Sequence, residues 1–324
     1  MRIAIAGRIA RQPILSALAE MADVEPVEFD SVAQVATEVP GLDAVILSDP
    51  RGPDGAVLAA ALRRPDARTS WVHVVSAGYG GMLSHPLPDH LAITNGGGAA
   101  APAVAEHALA LILACNRQLA LAAAAQAAHR WDNAPIRPGL RTLEGSTVTI
   151  VGMGHVGLAL AQRLQPFGVT LIGVTRSGAA LAGLDRTFAI SEIEAALSIA
   201  DVVVLALPGA PDTRHLMDAA RLGAMKPGAL LVNVGRGTVV DSAALTDALV
   251  RGQLAGAALD VTDPEPLPSH HPLWRAPNIV ITPHIAGGGS HLTGKRIADV
   301  IVANVERFQR GAPLLHQIYP GGRS

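Results

Sequence analysis

Residues 147–178 read TVTIVGMGHVGLALAQRLQPFGVTLIGVTRSG, and their reading decides the fold. Val148 to Val151 is an apolar run rich in β-branched residues, the composition of a buried strand. Gly152, Gly154 and Gly157 follow in G-x-G-x-x-G spacing, then a helical run to Phe167 and a second strand, Val169 to Val174. Strand, glycine turn, helix and strand in that order give the spacing its meaning. Gly152 allows the tight turn, Gly154 lets backbone approach a pyrophosphate, and Gly157 lets helix and strand pack closely. The start of the helix offers N–H groups and a positive dipole end to phosphates. The stretch predicts a Rossmann unit in which Gly152, Gly154, His155, Val156 and Gly157 form the phosphate turn.

The end of the second strand refines this. An acidic residue about 20 positions after the glycines holds the adenosine ribose of NAD. From Leu158 to Leu184 there is no Asp or Glu, and the chain reads Thr175, Arg176, Ser177 where the carboxylate belongs. A guanidinium and two hydroxyls suit a 2′-phosphate, which accepts the arginine fork. NADP(H) is therefore the favoured cofactor, with NAD(H) the alternative.

A chain of 324 residues exceeds the usual size of a single core, so two domains are expected. A net charge of −2 gives no electrostatic case for nucleic acid or an anionic membrane as partner. The single cysteine, Cys115, excludes an intrachain disulfide and fits a reducing compartment, so a cytoplasmic protein is expected. Met1 to Gly7 reads as a strand with no apolar leader behind it. Ala99 to Ala128 is the most apolar segment, but Glu106, His107, Asn116 and Arg117 interrupt it. It reads as a long buried helix rather than a membrane span.

Along the amino-terminal part, strands at Arg2–Ala6, Val24–Phe29, Ala44–Leu47 and Trp71–Val75 alternate with helices at Pro13–Met21 and Ala56–Leu62, the pattern of a parallel α/β sheet. The first turn there, Gly7-Arg8-Ile9-Ala10, lacks the later glycines, which leaves the cofactor to the second unit. Ser76 to Gly81 (SAGYGG) follows a strand, and its backbone could aim N–H groups at a carboxylate. A plain strand-to-loop turn is the alternative. Helix is expected throughout Ala101–Arg130. After Gly178 come a helix at Ile190–Ala200, strands at Asp201–Leu207, Ala229–Val234, Ala255–Leu259 and Ile279–Ile281, and intervening helices at Ala219–Ala224 and Ser242–Arg251. A helix at Gly294–Arg310 and a short polar tail close the chain.

Three segments stand at strand ends: Asn233 to Gly237, Asp260 to Pro268, and Thr282 to Gly287. They supply Arg236, Glu265 and His284. Hydride transfer to a 2-keto acid needs a cation for the carboxylate and carbonyl, and a proton donor for the developing alkoxide. A carboxylate bonded to the histidine orients the ring. Glu265 in a proline-rich loop could also be simply solvated, and His284 a capping residue. His270, His271 and His291 lack metal-ligand spacing, and no metal is assigned.

Arg236, Glu265 and His284, in that order after a central G-x-G-x-x-G, resemble the D-isomer-specific 2-hydroxyacid dehydrogenase family. The supporting runs are VGMGHVG, LPGAPDTRHLMD, MKPGALLVNVGRGTVVD, ALDVTDPEPLP with HPLW, and PNIVITPHIAG. The match is dense from Ala103 to Arg310 and loose before Trp71. The resemblance implies an α/β fold with a Rossmann domain, 99–286, inserted into a flavodoxin-like substrate domain, 1–98 and 287–324. Long helices near Ala101 and Ile285 would be the crossings. It implies that Arg236 binds substrate, His284 is the acid/base and Glu265 pairs with it. Ala77, Gly78 and Tyr79 would contact the substrate. Leu207, Pro208, Thr213, Val234, His284 and Gly287 would line the cofactor, and Asp260 would hold its carboxamide. A homodimer with Glu106 and His107 at the interface is implied. Thr175-Arg176-Ser177 departs from the usual aspartate and resembles the glyoxylate/hydroxypyruvate reductase branch. The expected activity is reduction of a small 2-keto acid (glyoxylate, hydroxypyruvate or pyruvate). The alternatives are oxidation of a bulkier 2-hydroxy acid or of phosphite, and a non-catalytic dinucleotide-sensing corepressor.

Overall fold

The computed structural model describes residues 1–320 and divides them into two compact units, Met1–Ala100 with 288–320, and Ala101–Gly287. The first unit runs β1 (Arg2–Ala6), α1 (Arg11–Ala19), β2 (Glu25–Phe29), α2 (Val32–Glu38), β3 (Ala44–Leu47), α3 (Pro53–Leu62), β4 (Trp71–Val74), α4 (Gly80–Leu83) and β5 (Ala92–Asn95). The second holds α5 (Ala101–Asn116), α6 (Leu119–Ala127), β6 (Thr147–Val151), α7 (His155–Leu164), β7 (Thr170–Thr175), β8 (Arg186–Ala189), α8 (Ile193–Ser198) and β9 (Val202–Leu205). It continues through α9 (Ala219–Ala224), β10 (Leu230–Asn233), α10 (Ser242–Val250), β11 (Gly256–Leu259) and β12 (Ile279–Ile281). The chain then returns to the first unit as α11 (His291–Gln309) and β13 (Gln317–Tyr319).

The first sheet has the order β2-β1-β3-β4-β5-β13, parallel except for β13. Its first five strands follow the flavodoxin order. The second sheet is wholly parallel, β8-β7-β6-β9-β10-β11-β12, which is the doubly wound Rossmann order with one further strand. Central strands such as β3 and β9 are buried along their whole length, as expected of sheets covered by helices on both faces. Each buried Val, Leu or Ile contributes roughly 1.5–3 kcal/mol of transfer free energy. In α7 the buried set is Gly157, Leu160, Ala161 and Leu164, one face at helical spacing.

Several elements differ from the sequence expectation. The helix expected over Ala101–Arg130 is two helices, α5 and α6, meeting at 67°. Gln118 between them is left-handed (φ 53°), its amide bonded to Cys115 O, while Arg141 N caps Asn116 O. Of α6 only Ala125 is buried, so the stretch is not the long buried helix expected; Leu119 and Leu121 are exposed. Among the described residues no single helix is long and apolar enough to cross a membrane. Ile285 lies in irregular chain after β12, and the last helix begins at His291. Within the short polar tail, Gln317–Tyr319 form β13, which pairs antiparallel with β5. β5, β8 and α2 add to the elements read from sequence.

One buried polar cluster in the first unit has a measurable consequence. His73 on β4 is fully buried, with Nδ1 2.8 Å from Thr94 Oγ1, which also accepts Trp71 Nε1 at 2.9 Å. Its Nε2 has no partner. Burial, and secondarily the charge of His316, pushes His73 down from 6.5 to about 3. The folded state therefore refuses a proton that the unfolded chain takes up once the pH drops below about 6.5. This group's stabilisation is present above that pH and declines between it and about 3, by up to about 1.4 kcal/mol per pH unit. In urea titrations at pH 6.5 and pH 4.5, His73→Met is expected to lose less stability than the parent chain. Equal losses would refute the assignment.

Candidate active site

In the second sheet all strands point the same way, and the neighbouring β10, β11 and β12 release their loops side by side. Adjacent strands lie about 4.8 Å apart, so residues just beyond them are brought together. Arg236 follows β10, Asp260 and Glu265 follow β11, and His284 follows β12. The glycine turn after β6 stands beside β9, where the sheet order reverses, the place where open α/β sheets bind ligands.

His284 Nδ1 lies 3.0 Å from both carboxylate oxygens of Glu265, and the two side chains are 40% and 29% exposed. An ionised carboxylate only accepts, so Nδ1 carries the hydrogen and Nε2 is the atom left to exchange a proton with a substrate. His284 has a left-handed backbone, φ 52°, a conformation that costs about 1–3 kcal/mol for a residue with a Cβ. Its amide donates to Asp260 O at 2.8 Å, which helps to hold it there.

Asp260 is 1% exposed. Oδ1 accepts Thr282 Oγ1 at 2.6 Å and Ile285 N at 3.0 Å, and Oδ2 accepts Ala286 N at 3.0 Å. The resemblance gave this residue the nicotinamide carboxamide; its carboxylate also braces the loop that carries His284. Spacing alone does not reveal that. His107, which the resemblance placed at a subunit interface, points its Nε2 at Thr282 Oγ1, 3.0 Å away.

Arg236 is half-buried and donates from Nη1 to Gly235 O at 2.7 Å. Asn233, fully buried at the end of β10, brackets this loop: Oδ1 accepts Gly235 N and Nδ2 donates to Arg236 O, both at 3.0 Å. A Cβ at Gly237 would run into the carbonyl of Thr262, so the loops after β10 and β11 touch backbone to backbone. Arg214 reaches the second of these loops, with Nη1 3.3 Å from Asp263 Oδ2.

The phosphate turn has the shape a dinucleotide requires. Gly152 has φ 99°, and a Cβ there would lie 2.9 Å from Ala206 O. A Cβ at Gly157 would meet Gly152 O, whereas nothing lies within 4 Å of one at Gly154, where the turn is open. His155 is the first residue of α7 and is exposed; Val156 packs into the core beneath the sheet. Arg176 and Ser177 are exposed beyond β7, and Thr175 Oγ1 accepts Gly178 N at 2.9 Å, closing that turn. Leu207 packs against the core, Val234 is 7% exposed and Gly287 ends the unit. Thr213 Oγ1 accepts Ala210 N and donates within its own loop at Pro208 O, so the hydroxyl shapes the loop after β9. Ala77, Gly78 and Tyr79 belong to the first unit, after β4. Ser76 Oγ donates to Gly78 O and Asn95 Nδ2 to Ala77 O, which fixes that loop.

Comparison with known proteins agrees with this architecture. Residues 109–286 match the D-isomer specific 2-hydroxyacid dehydrogenase NAD-binding domain. The glyoxylate reductase of Thermofilum pendens is 35% identical over 224 residues, 68% of this chain and 65% of that one. A family protein from Aeromonas salmonicida superposes with TM-score 0.84 at 30% identity, covering 98% of each chain. The NADPH-dependent glyoxylate/hydroxypyruvate reductase SmGhrB of Sinorhizobium meliloti, solved with citrate, gives TM-score 0.79 at 29% identity over 99% of each chain. The chain belongs to the D-isomer-specific 2-hydroxyacid dehydrogenase family. It is an oxidoreductase with that family's NAD-binding domain.

Proposed function

We propose that this protein reduces a small 2-keto acid of the glyoxylate, hydroxypyruvate or pyruvate type to the D-2-hydroxy acid, with NADPH preferred over NADH. The observation that carries the reading is the Glu265–His284 pair, 3.0 Å apart at the end of β11 and β12, beside the Arg236 loop. The Gly152–Gly157 turn would hold the dinucleotide's pyrophosphate, and the nicotinamide of the bound cofactor would supply the hydride. His284, held through Nδ1 by Glu265, delivers the proton from Nε2 to the carbonyl oxygen. Arg236 neutralises the substrate carboxylate and polarises the carbonyl.

The cofactor preference rests on Arg176 and Ser177, exposed where a ribose-binding carboxylate would otherwise stand. The NADPH dependence of the Sinorhizobium relative supports the same choice. The reading also includes a homodimer, for which exposed Leu119, Leu121, Trp131 and Trp274 offer apolar surface. The test is a kinetic panel of 2-keto acids with each cofactor. NADPH oxidation is expected with at least one acid, and Arg176→Asp is expected to move the NADPH-to-NADH ratio of kcat/KM towards NADH by about tenfold or more. An unchanged ratio would sink the cofactor assignment, and no oxidation with any acid would sink the reaction. The same sample is expected to sediment as a dimer; a monomer mass would remove that part.

A further inference from the structure

We infer that His107 on α5 is a positioning residue for His284, acting through Thr282 and Asp260. The inference rests on the acid/base role proposed for His284. It starts from a buried carboxylate. Asp260 is 1% exposed, and a charge so placed persists only where hydrogen bonds compensate it. It has three donors: the hydroxyl of Thr282 and the amides of Ile285 and Ala286.

The direction of each bond follows from what each atom has to give. An ionised carboxylate has no hydrogen, so the 2.6 Å contact is donated by Thr282. That uses the hydroxyl's one hydrogen. The 3.0 Å contact between His107 Nε2 and Thr282 Oγ1 must then be donated by the imidazole. The result is a one-way relay, His107 Nε2–H to Thr282 Oγ1, and Thr282 Oγ1–H to Asp260 Oδ1. His107 Nε2 also lies 3.4 Å from that same oxygen.

What the relay steadies is the backbone on either side of the proposed acid. Asp260 grips residues 285 and 286 through its side chain and residue 284 through its own carbonyl. These bonds hold His284 at φ 52°, from which an alanine or histidine would otherwise relax. Without the donor at position 107 the Thr282 hydroxyl is free to rotate away from Asp260, and the loop loses one of its fixed anchors. The imidazole of His284 then spends less time in line with the reacting oxygen, which slows proton transfer without removing a group that binds substrate.

The test measures single-turnover and steady-state reduction with NADPH and the panel acid of highest turnover, for His107→Leu, His107→Gln, Thr282→Val and the Leu/Val double variant. Glutamine keeps an N–H donor at the reach of Nε2; leucine does not. His107→Leu and Thr282→Val are each expected to lower kcat about tenfold and to raise the primary isotope effect with deuterated NADPH. His107→Gln is expected to recover most of kcat, and the double variant to be no slower than the slower single one. NADPH affinity, read by fluorescence titration, is expected to move by less than about threefold. Parental kcat in His107→Leu, equal damage from Leu and Gln, losses confined to KM, or additive losses would each overturn the inference. Should His107→Leu fail to fold, Thr282→Val and His107→Gln carry the same comparison. If His284→Ala keeps its turnover, the underlying reading fails; if it is inactive while His107→Leu is normal, only this inference does.

Discussion

His284→Ala is expected to lower kcat by about 10³-fold while NADPH still binds, because general acid catalysis by a positioned histidine contributes about 10²–10⁴-fold. The alanine removes Nε2 and leaves Glu265 without its 3.0 Å partner, but it leaves the phosphate turn and the Asp260 brace unchanged. Alanine, like histidine, carries a Cβ and pays about 1–3 kcal/mol at φ 52°, and the backbone bonds to Asp260 remain, so the fold should survive and the loss should read as chemistry. Stopped-flow reduction under saturating NADPH isolates the step. Turnover within tenfold of the parent would remove His284 from its role.

Arg236→Lys should also be severe, although the charge is kept. A guanidinium offers two parallel N–H groups to a carboxylate, and an ammonium offers a single point charge. The arginine is also built into its loop, through its bond to Gly235 O, which a shorter head group cannot reproduce in the same geometry. We expect kcat/KM for the keto acid to fall by about 10²-fold, with KM rising as well as kcat falling, the pattern of an interaction made in both ground and transition states. A lysine variant with parental KM would show that the substrate carboxylate is held elsewhere.

The parts of this molecule that were legible in its sequence are those encoded locally. The β6–turn–α7–β7 unit is announced by β-branched runs and three glycines. The strand-end loops holding Arg236, Glu265 and His284 are announced by apolar runs that stop at Gly, Pro or Asp. The parts that were not legible depend on contacts distant in sequence. The break at Gln118 falls in an Ala-rich run without Gly or Pro, and Gly139 and Arg141 pack there from across a loop. β13 is three residues whose strand character comes from pairing with β5. β8 is a short edge strand with one buried residue, Phe188, under the guanidinium of Arg186. His107 and Thr282 are 175 residues apart, so no spacing rule could link them. Asn233 is visible as a strand end, but its grip on residues 235 and 236 is a matter of rotamer.

The contact of Gly237 with Thr262 constrains how this enzyme can change. Two segments that meet with no room for even a methyl group move as one piece, so lengthening either would displace the guanidinium and the carboxylate together. Selection or engineering for a different acid is therefore steered away from these segments, towards side chains elsewhere that can be exchanged without disturbing the machinery.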